Sequence, residues 1–152
     1  MQKILFVCLG NICRSPLAEG IMLHLKEKHG LPLEIDSAGT AHYHIGEAPD
    51  HRTIANAAKN GVDLSKLRAR QFQVSDFEDF DRIYVMDTSN YRNVLSISDQ
   101  KQHHAKVRFL LDVVFPNQNK EVPDPYYGSE KDFEAAFQLV YNACEALRLS
   151  LV

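Results

Sequence analysis

Cys8 and Arg14 stand six positions apart around the short run Cys8-Leu9-Gly10-Asn11-Ile12-Cys13-Arg14-Ser15. Before it, Lys3-Ile4-Leu5-Phe6-Val7 is a β-rich apolar stretch, and after it Pro16 opens a helical pattern. A loop between strand and helix points several backbone N–H groups, and the positive end of the helix dipole, into one concavity. Such a nest holds a dianion and favours a thiolate over a thiol, which would make Cys8 nucleophilic at neutral pH. Arg14 offers a planar fork of donors to two oxygens of a phosphoryl group. One loop can thus supply an anion cradle and an attacking sulfur, although a cysteine at a strand end is more commonly a packing residue. A nucleotide loop of Walker type is excluded, since no Gly-Lys-Ser/Thr follows the glycine. A redox Cys-x-x-Cys pair is excluded too, because four residues separate Cys8 from Cys13.

A second constellation lies far along the chain, in Val122-Pro123-Asp124-Pro125-Tyr126-Tyr127-Gly128. Prolines on both sides fix the backbone around one carboxylate, and the tyrosine pair offers aromatic walls. On residue chemistry alone, Asp124 is either a turn aspartate or a placed proton donor. Other candidates read more simply as structure. His42 and His44 lack a third ligand nearby, and a metal would compete with the thiolate, so no metal site is expected. Tyr43 between them could wall a pocket. Asp87 reads as a turn or helix-cap group, His103 and His104 as solvated residues, and Cys144 as part of an apolar helical stripe.

An alternation of strands and helices must position these residues. Ser15 followed by Pro16 predicts an N-cap with proline at the first helical position. Leu17, Ile21 and Leu25 share one face of the helix that follows, and Lys28-His29-Gly30 ends it. Leu33-Glu34-Ile35-Asp36-Ser37-Ala38 is a second strand, parallel to the first through a right-handed crossover. Residues 41–49 form a loop, brought near Cys8 by the tendency of open α/β sheets to bind ligands at carboxyl strand ends. A short helix runs from Asp50 to Asn60, a strand over residues 82–86, a helix from Asp87 onward and a fourth strand over residues 106–111. Residues 112–123 make a long loop. Ser129 with Asp132 then caps a last helix whose buried face is Phe133, Phe137, Val140, Cys144 and Leu147. The fold expected is α/β: one domain over residues 1–152, a three-layer sandwich with a central four-stranded parallel sheet and helices on both faces.

A chain of 152 residues buries roughly 70% of its unfolded surface as one domain. The formal net charge of -3, with mixed signs, excludes a broad basic field for nucleic acid. Three cysteines are an odd count, a poor disulfide framework and a fit to a reducing cytosol. The apolar stretch after Lys3 is too short for a signal peptide or a membrane span. The expectation is a soluble cytoplasmic protein with neither membrane nor nucleic-acid partners.

The string Val7-Cys8-Leu9-Gly10-Asn11-Ile12-Cys13-Arg14-Ser15-Pro16 closely resembles the phosphate-binding loop of the low-molecular-weight protein tyrosine phosphatases. Asp36-Ser37-Ala38-Gly39-Thr40, Pro49-Asp50, Ala69-Arg70-Gln71, Met86-Asp87 and Asp124-Pro125-Tyr126-Tyr127-Gly128 extend the resemblance over nearly the whole chain. It implies a protein tyrosine phosphatase that works through a phosphocysteine, with no metal or cofactor. Cys8 would attack phosphorus, and Arg14 with the loop residues Leu9, Gly10, Asn11, Ile12, Cys13 and Ser15 would hold the phosphoryl oxygens. Asp124 would act first as acid and then as base. Ser15 would donate to the sulfur, and Ser15 with Ser37 would hold Asn11 in a left-handed conformation. Ile12, Tyr43, Tyr126 and Tyr127 would form a slot deep enough for a phenyl phosphate. Cys13 is either a packing residue or, as the resemblance implies, the partner of Cys8 in a protective disulfide under peroxide. The sequence departs from the family at Leu67, where a histidine thought to steady the loop asparagine usually stands.

The implied partner is a phosphotyrosine-containing protein, and bacterial relatives often act on tyrosine autokinases of polysaccharide export. The product is inorganic phosphate, and a monomer is expected. Thioredoxin-coupled arsenate reductases resemble the same loop, but their chemistry needs two further cysteines in mid-chain, and none lies between Cys13 and Cys144. A protein-arginine phosphatase typically holds threonine at the position of Ile12 and has a less aromatic acid loop. A non-catalytic phosphotyrosine-binding module needs neither an acid nor an activated thiol, so Cys8, Arg14 and Asp124 together argue against one.

Overall fold

In the computed structural model, which describes residues 1–151, the first apolar run is the central strand of the sheet. β1 (Gln2–Cys8) has Ile4, Leu5, Phe6 and Val7 fully buried, because both of its faces are covered. Strand alternation sorts them. Ile4, Phe6 and Cys8 enter a core built with α1 (Arg14–His29) and, at the far end of the chain, a 21-residue helix over Glu130–Ser150. Leu5 and Val7 enter a second core on the opposite face with Ala38, Phe72, Phe77 and Val94.

The remaining strands are β2 (Leu33–Gly39), β3 (Arg82–Val85) and β4 (Val107–Phe109). All pairings are parallel, in the order β2-β1-β3-β4. The helices after α1 are α2 (His51–Lys59), a single turn α3 (Asp76–Asp79), α4 (Thr88–Leu95), a single turn α5 (Lys101–His104) and α6, the helix over Glu130–Ser150. This is one α/β domain with a four-stranded parallel sheet and helices on both faces. The chain leaves β1 toward β2 and leaves β3 toward β4, so the carboxyl ends of β1 and β3 flank a topological switch point, where such sheets open a crevice.

Several expected boundaries move, each for a local reason. α1 starts at Arg14, with Cys13 at the N-cap and no side-chain capping bond. Ser15 is therefore not the cap but lies inside the first turn, its hydroxyl directed at the loop. The fourth strand ends at Phe109; Leu110 and Leu111 continue the apolar run as a 3-10 turn over Leu110–Val113 and join the α1–α6 core. Apolarity alone does not separate a strand from a buried turn. His103 is not solvated but 3% exposed, its ring stacked 4.7 Å from Phe77 and held between the Ser98 hydroxyl and the Glu78 carboxylate. The buried Phe77 needs a flat neighbour, and imidazole supplies one with both ring nitrogens satisfied. The caps read from sequence at Gly30 (φ 62°), Asp50 and Ser129 with Asp132 are in place.

Candidate active site

Residues 9–13 cross the carboxyl end of the sheet. Thr40 N–H donates to the Cys8 carbonyl at 2.9 Å, Ala41 N–H to that of Leu9 at 2.9 Å, Asp50 N–H to that of Ile12 at 2.8 Å and Leu17 N–H to that of Cys13 at 3.2 Å. With these carbonyls engaged by the surrounding chain, the loop amides are the groups left to meet an anion beside the N-terminus of α1. The approach of β2 is so close that a Cβ on Gly39 would lie 2.8 Å from the Leu9 oxygen. Only glycine fits beside the loop.

Asn11 takes φ 57°, the left-handed region asparagine tolerates better than most residues. Its side chain points away from the cavity into a buried frame. Nδ2 donates to the Ser15 hydroxyl at 2.7 Å and to the Ser37 hydroxyl at 2.8 Å, while Oδ1 accepts from Arg70 N–H at 3.0 Å. Ser15 Oγ lies 3.0 Å from Cys8 Sγ, and Ser15 N–H donates to the same sulfur at 3.4 Å. The sulfur, at the end of the central strand, thus faces the amide and the hydroxyl of Ser15, and that hydroxyl also lies 3.4 Å from the Ala38 carbonyl.

Arg14 is 3% exposed. Its Nη1 donates to Asp87 Oδ2 at 2.8 Å and to the Val122 carbonyl at 2.9 Å, and its Nη2 lies 3.6 Å from Asp124 Oδ2. Burial works against its charge, but Cys8, Asp87 and Asp124 outweigh that and push its pKa up, so the guanidinium stays protonated. Asp87 also caps α4 through Asn90 N–H at 2.8 Å. One carboxylate therefore links a helix start to the orientation of the arginine. The acid loop is tied down where Val122 N–H donates to the Met86 carbonyl at 2.8 Å, and the Asp124 carboxylate accepts from Tyr126 N–H at 3.1 Å.

The concavity is a cavity of about 180 Å³ lined by Cys8, Leu9, Gly10, Ile12, Cys13, Arg14, Tyr43, His44, Asp124, Tyr126 and Tyr127. The thiol, guanidinium and carboxylate named from the sequence open into one space, with Ile12, Tyr43, Tyr126 and Tyr127 as its walls. Cys13 lines the same cavity, and burial pushes its thiol up to about 12. Four participants were not read from the sequence: Asp87 as the anchor of Arg14, the Arg70 amide on Asn11, His44 on the wall and Glu19 behind Ser37. Asp87 and Arg70 had a sequence signal in the family-like strings Met86-Asp87 and Ala69-Arg70-Gln71, which mark the positions but not their partners. His44 pairs with Glu47 at 2.9 Å rather than with His42, and no group of three or more His, Cys, Asp or Glu among the described residues is placed to hold a metal ion.

The family model for low molecular weight phosphotyrosine protein phosphatases matches residues 3–152. The chain belongs to this family. It is an enzyme, a protein-tyrosine-phosphatase. Among its relatives is YfkJ of Bacillus subtilis, a low molecular weight protein-tyrosine-phosphatase 40% identical over 99% of this chain and 96% of that one. The phosphatase also superposes on a crystal structure of a protein tyrosine phosphatase from Entamoeba histolytica with Hepes in the active site, at a TM-score of 0.92 and 39% identity over 99% and 97% of the two chains. Vibrio vulnificus Wzb in complex with benzylphosphonate matches at a TM-score of 0.87 and 29% identity over 98% of both chains.

Proposed function

We propose that this phosphatase hydrolyses phosphotyrosine in proteins through a phosphocysteine on Cys8. The observation that carries the reading is the single cavity into which Cys8, Arg14 and Asp124 all open. In the first step the Cys8 sulfur attacks phosphorus, Arg14 and the loop amides hold the equatorial oxygens, and Asp124 gives its proton to the departing phenolate. In the second, Asp124 takes a proton from water as the water displaces the sulfur, and inorganic phosphate leaves. Ser15 steadies the sulfur as attacking group and as leaving group. The Arg14–Asp124 separation of 3.6 Å keeps acid and guanidinium near one another without tying the carboxylate down.

Selectivity follows from depth. Ile12, Tyr43, Tyr126 and Tyr127 make walls that match a phenyl ring, and a shorter phosphoserine side chain would stop short of the sulfur. The benzylphosphonate bound by Wzb also joins an aromatic ring to a tetrahedral phosphorus group. The partner is a phosphotyrosine-containing protein, with a bacterial tyrosine autokinase as the finer candidate from the family resemblance. No helix of the described residues is long and apolar enough to cross a membrane, and the three cysteines are free, which supports action in a reducing cytoplasm. Under peroxide, Cys8 oxidised to a sulfenic acid would condense with the Cys13 thiol, releasing water and forming a reducible disulfide. The raised pKa of Cys13 makes that condensation slow at neutral pH.

Rapid quenching tests the covalent step. A phosphoenzyme should form in wild type from a phosphotyrosine peptide and be absent in Cys8→Ser; a phosphoenzyme in both would move the nucleophile elsewhere.

A further inference from the structure

Glu19, in the second turn of α1, is buried and accepts a hydrogen bond from the Ser37 hydroxyl at 2.5 Å. It touches no part of the reaction cavity, yet it ends a continuous chain of side chains that begins at the sulfur. The direction of the protons in that chain is fixed by the backbone. Because Arg70 N–H donates to Asn11 Oδ1, the carbonyl end of the amide is settled and Nδ2 must face the serines. Both of its protons are then used, one on Ser15 and one on Ser37. Each serine accepts from Asn11 and keeps its own proton free. The Ser37 proton goes to Glu19, and the Ser15 proton has two acceptors, Cys8 Sγ at 3.0 Å and the Ala38 carbonyl at 3.4 Å, of which an ionised sulfur is the nearer and the charged one.

We propose that Glu19 is a positioning residue for phosphoryl transfer: its ionised carboxylate, acting through Ser37 and Asn11, holds the Ser15 hydroxyl toward Cys8, and its protonation slackens the loop. The role rests on Cys8 being the nucleophile. When Glu19 is ionised, the Ser37 O–H bond to it is charge-assisted and makes Ser37 Oγ a better acceptor for Asn11. When Glu19 takes a proton on Oε2, Oε1 remains an acceptor but a neutral one, so the Ser37 bond loses its charge assistance and Ser37 Oγ becomes a weaker acceptor for Asn11.

The charges facing Glu19 make this switch reachable. Asp36 on β2 opposes its ionisation, and Arg70 favours it from the segment after α2. Arg70 is itself engaged by Asp36 and Asp76, both at 3.0 Å. Leu67, where the resembled family usually has a histidine, packs against the main core and brings no cation. Burial first, and Asp36 after it, push the Glu19 carboxyl up to about 7, so both states are populated near neutral pH.

The test is a pH titration followed by NMR on the Asn11 side-chain amide, beside a pH profile of kcat/KM, in wild type, Glu19→Gln, Ser37→Ala and the double variant. The Asn11 amide protons should shift with a midpoint near pH 7, and Glu19→Gln should abolish the shift. Glu19→Gln should also lower kcat/KM by about fivefold at pH 8, the scale of one charge-assisted bond made neutral, with far less effect at pH 5.5. In a Ser37→Ala background Glu19→Gln should do nothing further. An Asn11 amide indifferent to pH in wild type, or an undiminished effect of Glu19→Gln without Ser37, would overturn the proposal. The amide titration reads the network without turnover. Failure of the nucleophile assignment shows separately, as activity retained in Cys8→Ser, and would remove the positioning role with it.

Discussion

At the scale of residues, the proposed reaction rests on three side chains, and two others touch them or the groups that hold them. Arg14 is buried, and Asp87 is the carboxylate that meets it at hydrogen-bonding distance. Removing one partner of a buried pair leaves the other charge unsatisfied. Asp87→Ala should therefore weaken binding of vanadate at least tenfold and cost about 1 kcal/mol of stability through the lost α4 cap, readable by titration and by urea unfolding. Glu19 gives a pH dependence of opposite sign to the usual acid. Its folded pKa of about 7 lies above the ordinary 4.5, so the folded state binds its proton more tightly than the unfolded chain does. That contribution to stability is complete below about pH 4.5 and is lost as pH rises through about 7. The loss is on the order of 3 kcal/mol, and Glu19→Gln should flatten it in unfolding curves measured across that window. That Cys8, Arg14 and Asp124 belong together was legible in the sequence, because phosphoryl transfer asks for those residue types in constrained settings, and all three line one cavity. The Asp87, Arg70 and Glu19 partnerships were not, because each joins residues 18 to 73 positions apart whose meeting only the fold decides.

At the scale of elements, the loop is shaped by what surrounds it. β1 ends at Cys8, the proposed nucleophile, and α1 begins at Arg14, whose guanidinium opens into the same cavity. Gly39 on β2 lies against the loop with no room for a Cβ. Gly39→Ala should displace residues 9–11, lower kcat more than tenfold and destabilise the fold by about 1–3 kcal/mol, checked by kinetics and thermal unfolding together. Strand and helix existence was readable from apolar runs and spacing, most clearly in the continuous run of β1 and the stripe of Phe133, Phe137, Val140, Cys144 and Leu147 along α6. Their ends were less so. Ser15 had the composition of a cap, but its hydroxyl serves Asn11 and Cys8 instead; a capping residue and a site residue look alike until the partner is known. The end of the fourth strand moved for another reason, since a buried 3-10 turn and a strand share the same apolar run.

At the scale of the whole molecule, the sheet order places the two catalytic segments on either side of one crevice. The loop after β1 brings sulfur and guanidinium, while the segment that follows the long 112–123 connection returns to Met86, at the end of β3, with the acid. A ligand that fills the cradle should therefore tighten the entire domain. Vanadate at a hundredfold its Kd should raise Tm by about 5–10 °C in wild type, and Arg14→Ala should lose that shift. The most direct measurement is phosphate release, without added metal, from phosphotyrosine, phosphoserine and phosphoarginine substrates by wild type, Cys8→Ser and Asp124→Ala. A phosphotyrosine preference that vanishes in Cys8→Ser and falls ~100-fold or more in Asp124→Ala is the expected result. Preference for phosphoarginine would contradict the reading of Ile12 and the tyrosine walls, and full activity in Asp124→Ala would contradict the acid.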